Sequence, residues 1–314
     1  MSPEYLLTDL QWRDNIQSPV FQANLVALVI DEAHCVTKWG KAFRTEFANL
    51  GEVCSLVPEG VKVMSLTATA TIKTRKAICK SVGLINPVII SESPHKPNIK
   101  YIVQVNPPPI EETFAPLIEE VRRYRQLTDR AIIFCRTYDS MTHIYLYFKN
   151  RLGKEILNPM SAPDMAQFRL IDMFSACTQP DVKEEIIRSF SIPNSQLRVV
   201  IATIAFGMGI DCSNVRRIMH WGASDDVEQY LQESGRAGRD HLLAHAILYH
   251  KVPDVVTRDL SEDMKEYCIN KSVCRRTMLF KKFNGYTEHL YAGNELCQCC
   301  DICECVCMCA KCSF

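Results

Sequence analysis

Short apolar runs rich in Val and Ile recur along the chain with helix-length stretches between them, and this alternation is the strongest constraint on its fold. LVALVI (25–30) and VKVMSL (61–66) form one set; AIIFC (131–135), RVVIAT (198–203) and RRIMHW (216–221) form a second. Parallel strands buried on both faces have this signature. VKEEIIRSF (182–190) has the amphipathic spacing of a helix packed on such a sheet. The segment VNPPPIEE (105–112) reads as a linker. Beyond residue 250 the strand pattern stops, and a helical stretch from DVVTRDL to LFKKF leads into NELCQCCDICECVCMCAKC. The expected fold is α/β, with parallel-sheet lobes over residues 1–95 and 96–249 and a helical, cysteine-rich subdomain over 250–314.

With 47% apolar residues in 314, the chain has the composition of a globular protein rather than a disordered one. Lys plus Arg equals Asp plus Glu at 36 each, so net charge does not draw the chain to a polyanion and any nucleic-acid site must come from local clustering. No stretch reaches the roughly eighteen consecutive apolar residues of a membrane helix. The start MSPEYLL lacks the basic flank and apolar run of a secretory signal, which makes an intracellular protein the expectation. Of the 16 cysteines, six are scattered up to Cys212 and ten crowd between Cys268 and Cys312. Without a secretory signal, that crowding points to metal rather than to disulfides.

Asp31 and Glu32 directly follow LVALVI, so their carboxylates emerge at the C-terminal end of a strand, where open α/β sheets receive their ligands. In nucleoside triphosphatases an Asp so placed holds Mg²⁺, and a neighbouring Glu orients and deprotonates the attacking water. Taken alone, the four residues Asp31-Glu32-Ala33-His34 also fit a strand end with solvated charges.

The longer run VIDEAHCVTKWGKAFR resembles the RecQ family of DNA helicases, whose DEAH box is followed by an aromatic-rich loop with the spacing of Trp39, Phe43 and Arg44. The resemblance implies that this loop senses single-stranded DNA, and aromatic faces and an Arg suit the task, since they stack on any base and meet the backbone phosphate. Lys41 and Ala42 depart from a His and an Asp common in the family. Ser65 to Ala70 resembles the third helicase motif, in which Thr67 and Thr69 would join the carboxylate box to the DNA path. Thr69 or Thr71 equally suits a helix N-cap.

Two longer motifs match the family's fifth and sixth nearly residue for residue. They are Ile201 to Asp211 (IATIAFGMGID) and Gln229 to Asp240 (QYLQESGRAGRD). By resemblance Arg236 and Arg239 reach the γ-phosphate, a task that needs a rigid fork of donors. The resemblance also implies that Gly207, Gly209, Asp211 and Gln232 would couple nucleotide to motion and that Thr203 would contact DNA. Ala131 to Thr137 resembles the fourth motif, with Arg136 on DNA; Phe174-Ser175-Ala176-Cys177 stands where the family usually has Tyr-His-Ala-Gly. The catalytic set implied is Asp31, Glu32, His34, Arg236 and Arg239. Acidic groups of one lobe and guanidiniums of the other would serve one ATP with its Mg²⁺. The partners implied are ATP and DNA, single-stranded or at duplex junctions, in the nucleus, with the cytoplasm as the alternative, and without membrane attachment. The fold implied is two RecA-like lobes followed by a zinc-binding subdomain.

Cys274, followed by Arg275 and Arg276, with Cys297, Cys300 and Cys303 resembles the family's zinc platform, in which one helical Cys joins three from a C-x₂-C-x₂-C run; Cys299 is then extra. Four thiolates close a tetrahedral Zn²⁺ site whose role is structural. For the C-x-C steps beyond Cys303, both a second metal site and a compositional tract without a role stay open.

A Gly-rich loop ending in Gly-Lys-Ser/Thr is needed to cradle the β- and γ-phosphates, and none occurs; Gly153-Lys154 is followed by Glu155. Ser2-Pro3-Glu4 resembles a segment midway through the family's first lobe, so that lobe is expected to be incomplete. A truncated piece of a working helicase is expected; the rival is a binding module that does not turn over ATP.

Overall fold

A computed structural model of the chain describes residues 9–38, 50–207, 212, 214–283 and 296–307. The chain divides into two compact units, residues 1–94 with 282–286, and residues 95–281 with 287–314.

In the first unit, helix α1 (Leu10–Gln17) starts on Asp9, whose carboxylate accepts from the N–H groups of Gln11 and Trp12. Helix α2 (Pro19–Asn24) starts on Ser18 with proline in its first turn, where the missing N–H costs nothing. Strand β1 (Ala27–Ile30) pairs in parallel with β2 (Lys62–Ser65), with Val29 opposite Met64 and Ile30 opposite Ser65. Short helices α3 (Cys35–Lys38) and α4 (Leu50–Ser55) lie between them in sequence. Helix α5 (Ile72–Val82) is capped by Thr71, whose hydroxyl accepts from Thr74 N–H, and ends on Gly83 at φ +74°, a left-handed turn that glycine adopts without strain.

Ile78 and Val82 of α5 form a core with Ile30, Ala33, Cys35 and Val53. The opposite face of the strand pair is open, Val29 being 53% and Met64 54% exposed. These strands are therefore half-buried rather than covered on both faces as their apolar runs suggest.

The second unit is built on six strands: β3 (Ile99–Val105), β4 (Arg130–Cys135), β5 (Ile171–Phe174), β6 (Val199–Ala202), β7 (Val215–Trp221) and β8 (Ala244–His250). They form one sheet in the order β3-β8-β7-β4-β6-β5 with every pairing parallel. Every residue of the interior strand β4 is buried, which suits the apolar run Ala131–Cys135 and takes in the charged Arg130 at its start.

Helices α6 (Ile110–Tyr124), α7 (Tyr138–Leu152), α8 (Pro180–Ser191) and α9 (Val227–Ser234) connect the strands. Glu111 and Glu112 lie in the first turn of α6 and Arg122 and Arg123 in its last, which suits the helix dipole. Phe114, Leu117, Ile118 and Val121 of α6 pack with Ile144 and Phe148 of α7 over β4 and β6. Each such side chain, fully buried, contributes about 1.5–3 kcal/mol relative to exposure. Arg130, 1% exposed, donates to the carbonyls of Phe190 at 2.7 Å and Ser189 at 3.3 Å, closing the end of α8.

After β8 come α10 (Val252–Thr257), α11 (Glu262–Ile269) and α12 (Arg275–Phe280), then α13 (Asp301–Glu304). The cysteine-rich turn leading into α13 lies along β3. Tyr101 N–H donates to Cys299 O at 3.2 Å, and Val103 N–H to the Asp301 carboxylate at 3.1 Å. Arg275 holds that same carboxylate with two N–H groups, at 2.9 and 3.0 Å.

Candidate nucleotide-handling residues and cysteine cluster

In the first unit the residues after β1 form a tight turn. Glu32 has φ +49°, and its N–H donates to Asp31 Oδ1 at 2.8 Å. Ala33 N–H donates to Leu66 O at 2.9 Å and Leu66 N–H to Ile30 O at 2.8 Å, so the Asp31–His34 turn and the end of β2 are stitched together. Asp31 remains exposed, while His34 is 4% exposed beneath it. His34 Nδ1 lies 3.2 Å from Glu32 Oε2 and 3.2 Å from Thr67 Oγ1.

The structure thus brings Asp31, Glu32, His34 and Thr67 together. Burial works against charge on His34, but Cys35 and Glu32 outweigh it and raise its pKa to about 9. Thr69 is buried nearby, and Thr71 rather than Thr69 caps α5. Trp39, Phe43 and Arg44, the expected DNA sensors, lie outside the described residues.

In the second unit Thr203 and Arg136 lie at the C-terminal ends of β6 and β4, whereas the turn carrying Arg236 and Arg239 lies by the N-terminal end of β7, where Gly238 N–H donates to Val215 O at 3.0 Å. Thr203 follows β6 and its N–H donates to Phe174 O at 3.1 Å. Gly207 lies just beyond, whereas Gly209 and Asp211 are outside the described residues. Arg136, at the end of β4, forms an ion pair with Asp225. Gln232 lies on α9, which runs into the turn bearing Arg236 and Arg239; Arg236 is 4% exposed, and Arg239 is exposed.

Beneath that turn Glu233 is 4% exposed and accepts from Ser224 Oγ at 2.7 Å and Gln229 Nε2 at 3.0 Å, with His220 Nε2 at 3.0 Å. Burial pushes its carboxyl up, but these three partners prevail and hold it below the usual carboxylate value. Lys96, next to the same turn, is lowered by burial and by the charge of Arg239. Burial and the nearby Arg276 lower His95 to about 4.

The thiols of Cys274, Cys299, Cys300 and Cys303 lie within 4.8 Å of one another. Tetrahedral zinc with its usual bonds of about 2.3 Å separates sulfurs by about 3.8 Å, so the group fits that ion. Hydrogen bonds from Cys299 and Cys300 push Cys274 down, Cys299 is pushed up by its bond to Cys274, and burial pushes Cys303 up. Four such thiols cannot all ionise without a cation to offset their repulsion.

This set differs from the sequence expectation in one member, with Cys299 in the place given to Cys297. The carbonyl of Cys299 is held by Tyr101 N–H and by Arg276 Nε at 3.2 Å each, and its sulfur stands 3.5 Å from that of Cys274. Cys297 sits in the preceding turn, buried but outside the group. Cys309 and Cys312 lie outside the described residues.

Comparison with known proteins bears on the family and the fold. Residues 112–241 match the model of the helicase conserved C-terminal domain. The ATP-dependent DNA helicase RecQ of Pasteurella multocida is 33% identical over 295 residues, covering 88% of this chain and 41% of that protein. The chain belongs to the RecQ family. The ATP-dependent DNA helicase Q1 of Mus musculus is 28% identical over 312 residues, covering 96% of this chain and 45% of that one. The chain thus spans less than half the length of these RecQ relatives. Its fold is that of RecA-like helicases: the Mycobacterium smegmatis helicase Lhr bound to ssDNA and AMP-PNP superposes with a TM-score of 0.57 at 18% identity, over 81% of this chain and 32% of that one.

Glu233, His220 and Ser224 are residues that sequence reasoning passed over in this RecQ chain. Glu233 lies inside the recognised sixth motif, but two of its three partners, His220 and Ser224, come from the end of β7 and the turn after it, and an acidic residue on a buried helix face, which Glu228 also is, is the one signal the sequence offers.

Proposed function

We propose that this chain is part of an ATP-dependent DNA helicase that unwinds duplex DNA with 3′ to 5′ polarity in repair, recombination and replication. The observation that carries the reading is the joined turn of Asp31, Glu32, His34 and Thr67 in a chain that aligns with RecQ over 88% of its length. In this reading Asp31 holds Mg²⁺ and Glu32 directs the attacking water. Protonated His34, ion-paired with Glu32 and hydrogen-bonded to Thr67, carries the state of the nucleotide toward the DNA path. Arg236 and Arg239 neutralise charge developing on the γ-phosphate. Gln232 and the glycine-rich segment from Gly207 couple that charge to the passage of one DNA strand past Thr203 and Arg136.

The loop that grips the β- and γ-phosphates is assigned to sequence outside these 314 residues. Cys274, Cys299, Cys300 and Cys303 hold a structural zinc ion, which adds folding energy and no chemistry. Work on chromosomal DNA implies a nuclear protein in a eukaryotic cell, and no described helix is long and apolar enough to cross a membrane.

The decisive experiment introduces Glu32→Gln into the longer parent protein. Loss of a general base lowers ATP hydrolysis by about 10²–10⁴-fold and unwinding with it. Unwinding at the unmodified rate would overturn the assignment.

A further inference from the structure

The segment from His95 to Ile99 is held from two sides. On one side stands Arg276, which is 0% exposed. Its guanidinium donates to the carbonyls of Lys96 at 2.9 Å, Pro97 at 2.8 Å and Ile99 at 2.5 Å, and lies 3.0 Å from His95 Nε2. Its Nε donates to Cys299 O at 3.2 Å, and the group lies over the Tyr101 ring, 5.7 Å from the centroid. A planar fork of five donors suits this work, because it binds several main-chain carbonyls at once in fixed directions.

On the other side the same segment grips the arginine turn. Lys96 Nζ donates to Gly235 O at 2.5 Å. The Asn98 side-chain amide donates to Gly238 O and Leu242 O, both at 2.8 Å, and Asn98 O accepts from Ala244 N–H at 2.8 Å. Gly235 and Gly238 bracket Arg236. The turn has no slack: at Gly238, φ is +59° and a Cβ would lie 2.3 Å from Asn98 Nδ2, and at Gly235 a Cβ would lie 2.8 Å from Leu231 O.

We propose that Lys96, Asn98 and Arg276 are positioning residues, and that residues 95–99 are a strap which fixes the turn carrying Arg236 and Arg239 against the cysteine-rich turn. The strap converts the folded state of the cysteine-rich module into the placement of two guanidiniums more than thirty residues away in sequence. This deepens the reading of Arg236 and Arg239 as γ-phosphate ligands and rests on it. None of the three positioning residues needs to touch nucleotide.

A displacement near 1 Å at a reacting centre costs on the order of 10²-fold in rate. In the parent protein, Asn98→Ala and Lys96→Met are therefore expected to lower kcat for ATP about 10–100-fold while KM changes little, because the lost contact acts in the transition state. Lys96→Arg, which keeps a donor for Gly235 O, restores most of the rate. Zinc per chain stays at the unmodified value in all three.

Hydrogen exchange on the 314-residue chain tests the strap independently of catalysis. Asn98→Ala should speed exchange at amides of residues 236–242 by about tenfold or more, with the first unit unaffected. Unaltered exchange there in Asn98→Ala and Lys96→Met overturns the strap, as does unaltered kcat in an active parent. If the parent hydrolyses no ATP at all, the helicase reading fails, and the exchange measurement still decides whether the strap exists. Arg276→Ala need not fold, so the Asn98 and Lys96 variants carry the test.

Discussion

Replacing Glu233 with Ala removes the acceptor on which His220, Ser224 and Gln229 converge. A hydrogen bond to a charged acceptor contributes about 1.5–3 kcal/mol, so three set an upper bound of roughly 4.5–9 kcal/mol. Desolvating the carboxylate itself costs several kcal/mol, which leaves a loss of about 3–5 kcal/mol, the range seen when one partner of a buried charged pair is removed. Trp221 is a built-in probe of the second unit, packed 5.4 Å from Phe114 and 5.7 Å from Tyr249 between ring centroids.

With a urea slope of about 2 kcal/mol/M, the Trp221 transition should move down by about 2 M. The effect has a defined pH dependence. The folded carboxyl lies below its ordinary value of 4.5, so its stabilisation is fully present above pH 4.5 and is lost as pH falls through the lower folded value. The gap between parent and Glu233→Ala must therefore narrow as the solution is acidified below pH 4.5. A gap under about 1 kcal/mol at about pH 7, or one that does not change down to about pH 3, would refute the picture of Glu233 as a charged hub.

Three further outcomes are expected. Cys299→Ser should lower bound zinc well below the roughly one ion per chain of a four-thiolate site, while Cys297→Ser retains it; zinc analysis giving the reverse pattern makes Cys297 the ligand. His34→Ala should destabilise the first unit by about 1–3 kcal/mol near pH 6, since the folded value of about 9 lies above the ordinary histidine value of 6.5. That loss should fade as pH rises through about 9, and thermal melts at about pH 6 and about pH 10 read the difference. Gly238→Ala should cost at least about 1–2 kcal/mol for the left-handed backbone alone, measured as a lowered urea midpoint.

Much of the second unit was legible in the sequence because the signals are local. The runs 131–135, 198–203 and 216–221 became β4, β6 and β7, and the amphipathic stretch 182–190 lies in α8. The first unit was less transparent. An apolar run does not say whether one or both faces of a strand find cover, and Val29 and Met64 do not.

Side-chain partnerships across long sequence gaps were invisible for a physical reason. Lys96 and Asn98 look like ordinary polar residues around a proline, and their work depends on carbonyls about 140 residues away. The cysteines show the limit of spacing as a guide. Cys297 and Cys299 are two residues apart, and which thiol turns inward depends on how the main chain of Cys299 is anchored to Tyr101 and Arg276.

The anchoring of the cysteine-rich turn along β3 has a consequence for solubility. A marginal strand with vacant N–H groups is a template on which another chain can add. In β3 those of Tyr101 and Val103 are occupied by Cys299 O and the Asp301 carboxylate. Loosening the thiol cluster would uncover that margin, so a variant in which Cys299 and Cys300 are both replaced by Ser is expected to aggregate by strand addition before its second sheet unfolds.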